Sequence, residues 1–127
     1  CQWYAGRADA LAVLRDRRYA LLDFKNQDLL QGEKRPNWYI KEWTGQLGAY
    51  TKCIFDPDIL PREIVCFSIV FDRSKPGMPV IREWTEDEIS NGWELFFHAM
   101  LFWRRVNNFH PVPISWCHLE HLAAMNK

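Results

Sequence analysis

With 127 residues, 48% hydrophobic and 25% charged, the chain has the length of about one domain and enough apolar side chains to bury its own core. Its 16 Lys and Arg balance 16 Asp and Glu, and no tail carries a run of one sign; net charge therefore decides nothing about partners, and a local basic groove suffices for a protein that must release a nucleic-acid product. No stretch approaches the ~18 consecutive apolar residues of a membrane span, so a soluble protein without a membrane partner is expected.

In chain order, Trp3 to Leu14 and Tyr19 to Lys25 are rich in β-compatible apolar residues, and Arg15-Asp16-Arg17-Arg18 between them predicts a hairpin turn. A charged loop follows over Gly32 to Asn37. From Trp38 to Ile54 the residues Tyr39, Trp43, Leu47, Tyr50 and Ile54 recur close to the helical period, which predicts a helix. Pro57 and Pro61 break it. Glu63 to Phe71, EIVCFSIVF, is short, apolar and rich in β-branched residues, as a buried strand requires. Ser74-Lys75-Pro76-Gly77 supplies a turn into a further strand from Pro79 to Trp84. Thr85 with Glu88 three residues on is a capping box. The series Trp93, Phe96, Phe97, Met100, Leu101 and Trp103 then continues as an amphipathic helix to about Val106, where Asn107-Asn108 ends it. Ser115 can cap a last short helix through Met125. The order strand, strand, helix, strand, strand, helix belongs to an α/β (α+β) chain, expected to be one domain over residues 1–127 with a tail from 109.

Side chains on a strand alternate faces, so Asp23 and Lys25 project to one side and Leu22 and Phe24 to the other, which is expected to separate chemistry from core. A three-residue hairpin loop centred on Asp16 sets Asp9 opposite Asp23, and other loop lengths keep the two close. Two carboxylates ~5 Å apart repel unless a cation lies between them. Mg²⁺ suits that place, because it takes one or two carboxylates, waters and phosphate oxygens, with the backbone carbonyl of Phe24 available to complete its shell. Such an ion polarises a phosphate and lowers the pKa of a bound water. Lys25 can orient that water and offset charge on the phosphorus oxygens. Taken alone the triplet, which occurs by chance in most proteins, reads better as an exposed cross-strand charge pair.

Tyr4-Ala5-Gly6-Arg7-Ala8-Asp9-Ala10, then Tyr19-Ala20-Leu21-Leu22-Asp23-Phe24-Lys25-Asn26, then Glu42-Trp43-Thr44-Gly45-Gln46-Leu47-Gly48-Ala49-Tyr50 together resemble the PD-(D/E)XK nucleases. The likeness is to their RecB-type exonuclease branch, which includes the CRISPR adaptation nucleases, the mitochondrial genome maintenance exonuclease and many phage nucleases. G-x-x-D, (D/E)-x-K and Q-x-x-x-Y occur in the family's order. The resemblance implies a central mixed β-sheet flanked by helices, a restriction-endonuclease-like core, over about residues 4–108. It implies Asp9 and Asp23 as ligands of Mg²⁺ or Mn²⁺, Lys25 as the catalytic lysine, and Gln46 and Tyr50, with Trp43 a turn earlier, as the helix stripe that braces the site or touches substrate. DNA is the implied partner, single-stranded or with free ends. The branch has a helix ahead of G-x-x-D, and here the chain begins only a few residues before Gly6, so that helix is expected to be missing or to lie upstream. Some relatives carry an iron-sulfur cluster; Cys117 lacks the neighbouring cysteines this needs, so none is expected.

Cys1, Cys53, Cys66 and Cys117 include no C-x-x-C pair, which leaves neither a zinc ribbon nor a redox motif, and free buried thiols of an intracellular protein are expected. Cys117, His118 and His121 lack a fourth zinc ligand and read as part of a surface helix. Trp38 or Trp43 can be core or can stack on an unpaired base. Lys34, Arg35 and Lys41 can meet phosphates or form a solvated face. Two other functions fit less of the pattern: a catalytically silent nucleic-acid-binding or scaffold module of the same fold, and a lipoprotein-type binding or immunity protein suggested by Cys1 alone.

Overall fold

The structure is a computed structural model that describes residues 4, 6–27, 40–54 and 64–110. Its elements are β1 (Ala10–Val13), β2 (Tyr19–Gln27), α1 (Ile40–Ile54), β3 (Ile64–Asp72), β4 (Val80–Trp84) and α2 (Glu86–Val106). The strands form one sheet in the order β1-β2-β3-β4. β1 and β2 are antiparallel, β2 and β3 parallel, and β3 and β4 antiparallel. A parallel pair needs a crossover, and α1 supplies it between β2 and β3. The described residues thus form an α+β arrangement, a mixed four-stranded sheet with two helices.

The β1/β2 hairpin turns where the sequence places it, and of the loop lengths left open it has the three-residue one centred on Asp16. Leu14 N–H donates to the Arg18 carbonyl and Arg17 N–H to the Leu14 carbonyl, both at 2.9 Å. Arg17 takes φ 70°, the left-handed residue that such loops require. Asp16 locks the turn by accepting from the Arg18 N–H at 3.1 Å and from its Nε at 2.8 Å. These same contacts hold the Asp16 carboxyl below the usual carboxylate range, the backbone N–H first and the guanidinium after it.

The first strand is shorter than the sequence predicts. Its ladder starts at Ala10 rather than near Trp3, because Asp9 turns its carboxylate into the backbone of β2, where a further strand residue would have paired. The other elements lie within one or two residues of expectation where they are described. The tail beyond His110, with Cys117, His118 and His121, lies outside the described residues, as do Trp38, Lys34 and Arg35.

The core is Leu21, Trp43, Leu47, Cys66, Val70 and Trp84, with Ala8, Tyr50, Ile54 and Ile89 packed against it. Parity places Leu21, Asp23 and Lys25 of β2 on the face that α1 covers, beside Cys66, Ser68 and Val70 of β3. The expected separation is therefore reversed. Asp23 is 2% exposed, on the core face, while Phe24 on the opposite face is 44% exposed. Leu21 shares the parity of Asp23, and its burial under Leu47 carries the acid inside with it.

α1 is buried on two sides, by the sheet and by α2. The helices approach closely because both present glycine at the crossing: a Cβ on Gly48 would lie 2.6 Å from Trp93 N, and one on Gly92 would overlap the Thr44 carbonyl. α2 starts with the predicted capping box, Thr85 Oγ1 accepting from Glu88 N–H at 3.2 Å and Glu88 Oε2 from Thr85 N–H at 2.9 Å. It ends in a Schellman motif. Phe109 N–H donates to the Arg104 carbonyl at 2.9 Å, Asn108 takes φ 49°, and the Phe109 ring packs on Trp103. Of the described cysteines, Cys66 is buried, as expected, and Cys53 is exposed; both are free thiols. Among the described residues no helix is long and apolar enough to cross a membrane.

Candidate active site

Asp23 is the centre of the site. Its Oδ1 lies 2.8 Å from the Lys25 ammonium, two residues along β2 on the same face. Its Oδ2 accepts from Ser68 Oγ of β3 at 3.4 Å, across a register that sets Asp23 beside Ser68. Ser68 in turn accepts from Trp84 Nε1 of β4 at 2.9 Å. An indole nitrogen only donates, so Ser68 must spend a lone pair on Trp84, which leaves its hydroxyl proton for the carboxylate. The three strands thus form a directional chain from indole to hydroxyl to carboxylate, its last contact a long one, so that the 2.8 Å Lys25 pair is the firmer hold on Asp23. Arg82 closes the far end, its guanidinium 4.0 Å from the Trp84 ring centroid and 2.8 Å from Glu88 Oε1.

On the other side of Asp23, Lys25 Nζ donates to Gln46 Oε1 of α1 at 2.9 Å, and Gln46 Nε2 donates to Tyr50 Oη at 3.0 Å. The lysine cannot accept, so the amide orientation is fixed by its partners. Gln46 and Tyr50 are i and i+4 on one helix face, as the sequence predicts. Trp43 lies one turn earlier, its ring centroid 5.7 Å from Nζ, within cation–π range. It is only 7% exposed. That corrects one of the two readings left open for it: Trp43 supports Lys25 from within the core and offers no face to a stacking base.

Asp9 completes the set from the adjoining strand. One step past the Ala10↔Leu22 pair, the hairpin register puts it opposite Asp23, as a three-residue loop demands. The side chain is exposed, and its Oδ2 accepts from the Phe24 N–H at 2.8 Å. A strand residue points its N–H and C=O to the same side, so the Phe24 carbonyl also faces the edge where Asp9 sits. Asp23, Lys25, Gln46 and Tyr50 are therefore joined by direct side-chain contacts, and Asp9 is tied to the same strand through the Phe24 backbone. Gly6, of the G-x-x-D motif, belongs to it for a steric reason: a Cβ there would lie 2.5 Å from Cε1 of Tyr50.

Sequence reasoning missed Ser68 and Trp84. A signal existed for the first, since Ser68 is the one hydroxyl inside an otherwise apolar strand, EIVCFSIVF, and a buried hydroxyl needs a partner. It missed too a cavity of about 500 Å³ that opens between α1 and α2, with Gln46 and Tyr50 in its wall together with Tyr4, Phe96 and Leu95. Tyr4 is anchored there by donating to the Ala49 carbonyl at 2.6 Å and by an edge contact to Phe96 with centroids 4.9 Å apart. Burial, and then the neighbouring Cys53 thiol, push the Tyr4 hydroxyl well above its ordinary pKa.

Among the described residues no three His, Cys, Asp or Glu side chains gather. A cation here would be held by two carboxylates and a backbone oxygen, with water filling the rest. That hard-oxygen set matches Mg²⁺ or Mn²⁺ and not zinc. Each carboxylate has about four lone-pair positions, so those already accepting hydrogen bonds can still face an ion. In comparisons with family models, with curated proteins and with solved structures, nothing matches the chain, and the geometry carries the functional argument.

Proposed function

We propose that this chain is the catalytic core of a divalent-metal-dependent nuclease that hydrolyses DNA phosphodiester bonds, its sheet and α1 being a restriction-endonuclease-like core of PD-(D/E)XK type. The observation that carries the reading is the ion pair of the buried Asp23 with the half-buried Lys25, joined to Gln46 and Tyr50 on one side, with Asp9 held on the Phe24 backbone beside it. Taking two charges out of water is costly, and a packed apolar pair in the same place is often at least as stable. A fold that keeps the ion pair next to a second, exposed acid is better understood as using it.

Asp9, Asp23 and the Phe24 carbonyl would hold the ion, which when bound polarises the phosphate and acidifies a water. The protein's own contribution is placement. Ser68, backed by Trp84, helps Lys25 fix which way Asp23 points. Lys25, fixed at two of its three donors by Asp23 and Gln46, has one proton left to hold a water or a phosphate oxygen. Tyr50 and Gln46 keep that ammonium from swinging into solvent. Incubating the protein with end-labelled single-stranded and duplex DNA in Mg²⁺, Mn²⁺ or EDTA tests the reading. Metal-dependent shortening supports it, and intact DNA in both metals rejects it.

One observation favours a second reading. Asp23 is already matched by Lys25 and Ser68, so the cluster can be satisfied without an ion. A silent module that binds nucleic acid through the same fold predicts DNA binding without cleavage in either metal.

A further inference from the structure

The cavity between α1 and α2 shares two of its walls with the candidate site. Gln46, which holds Lys25 at 2.9 Å, and Tyr50 line it, so it begins one side chain away from the ammonium. Its volume of about 500 Å³ falls within the ~300–1,000 Å³ of small-molecule sites, and its inner wall is aromatic and apolar, from Tyr4, Phe96 and Leu95. Lys41 is exposed at its rim, with Glu42 beside it. A flat aromatic group carrying a nearby anion fits this arrangement: the apolar walls take the ring, the Gln46 amide and Tyr50 hydroxyl offer polar edges, and Lys41 meets the charge.

We propose that this cavity is a subsite that receives an unpaired base of the strand whose phosphodiester lies at Asp23 and Lys25. A base within a duplex is stacked and paired and cannot enter without first being extruded; an unpaired base enters at far lower cost. The buried Trp43 cannot provide a stacking platform, and the Tyr4–Phe96 wall takes over that role. Base-dependent affinity without sequence readout is the expected consequence, because every base has an aromatic face. The inference rests on the nuclease reading for its substrate, but it is tested by binding alone.

The test measures fluorescence anisotropy of a short labelled oligothymidylate at low salt in EDTA, where nothing is cut. Wild-type protein is expected to bind it at least about tenfold more tightly than an abasic strand of the same length, and more tightly than the duplex. Ala99→Trp places a large ring into the cavity from α2 at an exposed position, and should bring the oligothymidylate down to the abasic level with helix content unchanged. Equal affinity of the wild type for the two strands overturns the proposal, and so does a folded Ala99→Trp that keeps the preference. The abasic comparison needs no variant and decides even if the substitution unfolds the chain. Cleavage in Mg²⁺ is scored separately: base-dependent binding without cleavage keeps the cavity assignment and rejects the nuclease reading, whereas cleavage with no base dependence does the reverse.

Discussion

Lys25 Nζ and Asp23 Oδ1 stand 2.8 Å apart on one strand, with the acid 2% exposed and the lysine held from the other side by Gln46. Removing either charge alone leaves the other partly desolvated. Breaking a fully buried pair costs ~3–5 kcal/mol, and because Lys25 retains some contact with solvent the loss for Lys25→Met is expected at about 1–3 kcal/mol. Asp23→Ala also opens a space in the core face, so Asp23→Asn, which keeps volume and the Ser68 contact, is the cleaner probe of chemistry. Urea unfolding of the two variants should rank Lys25→Met as the less stable; the opposite order would mean that the ammonium is dispensable to the buried acid.

Ser68→Ala should lower both stability and activity. It removes the Ser68 acceptor of the Trp84 N–H and the Ser68 donor to Asp23, an expected loss of about 1–3 kcal/mol. Trp84→Phe removes the donor along with its need, and should cost less in activity than Ser68→Ala while Ser68 can still reach the carboxylate. If cleavage by Ser68→Ala equals that of the wild type at a temperature where both are folded, the chain through Ser68 does not position Asp23.

Gly6→Ala forces a methyl group against the Tyr50 ring. The ring must shift, which pulls Tyr50 Oη from Gln46 Nε2 and loosens Lys25 through the amide. Overpacking of this kind costs about 1–3 kcal/mol. Tyr50→Phe breaks the same hydrogen bond without the crowding. Cleavage rates of the two variants should fall together while only Gly6→Ala loses much stability; a Tyr50→Phe enzyme at full rate would detach the helix stripe from the chemistry.

Glu88 links pH to the start of α2. Partial burial raises its pKa, but the Thr85 backbone N–H, Arg82 and the Thr85 hydroxyl together outweigh that and hold it below the ordinary value. A depressed folded pKa gives stability that is present above the unfolded pKa of ~4.3 and is lost as pH falls through the folded value. Stability measured from pH 6 down to about pH 3 should therefore fall more steeply for the wild type than for Glu88→Gln, by up to ~1 kcal/mol. Parallel curves would place the acid sensitivity elsewhere, Asp16 being another carboxyl held low among the described residues.

The place of the hairpin turn was legible in Asp16 and its arginine neighbours, whereas the loop length that fixes which residues face each other was left open. The start of α2 was legible from Thr85 and Glu88, and the Gln46–Tyr50 stripe from their spacing. What covers each face of β2 was not. Ala20, Leu22 and Phe24 share a wholly apolar face while Leu21 shares the other with Asp23 and Lys25, so alternation points to the wrong face, and the packing of Leu21 with Leu47 and Trp43 decides which is buried. The Gly48–Gly92 crossing and the Ser68–Trp84 contact were hidden for a related reason: each joins elements whose relative position no local pattern encodes.

Single-turnover cleavage of a labelled single-stranded DNA, with saturating Mg²⁺ and wild-type protein beside folded Asp23→Asn and Asp9→Asn, tests the central claim most directly. The account predicts cleavage by the wild type, abolished by EDTA, and a drop of at least about 100-fold in each variant. Cleavage that survives both substitutions, or a wild type that leaves the strand intact, would contradict it.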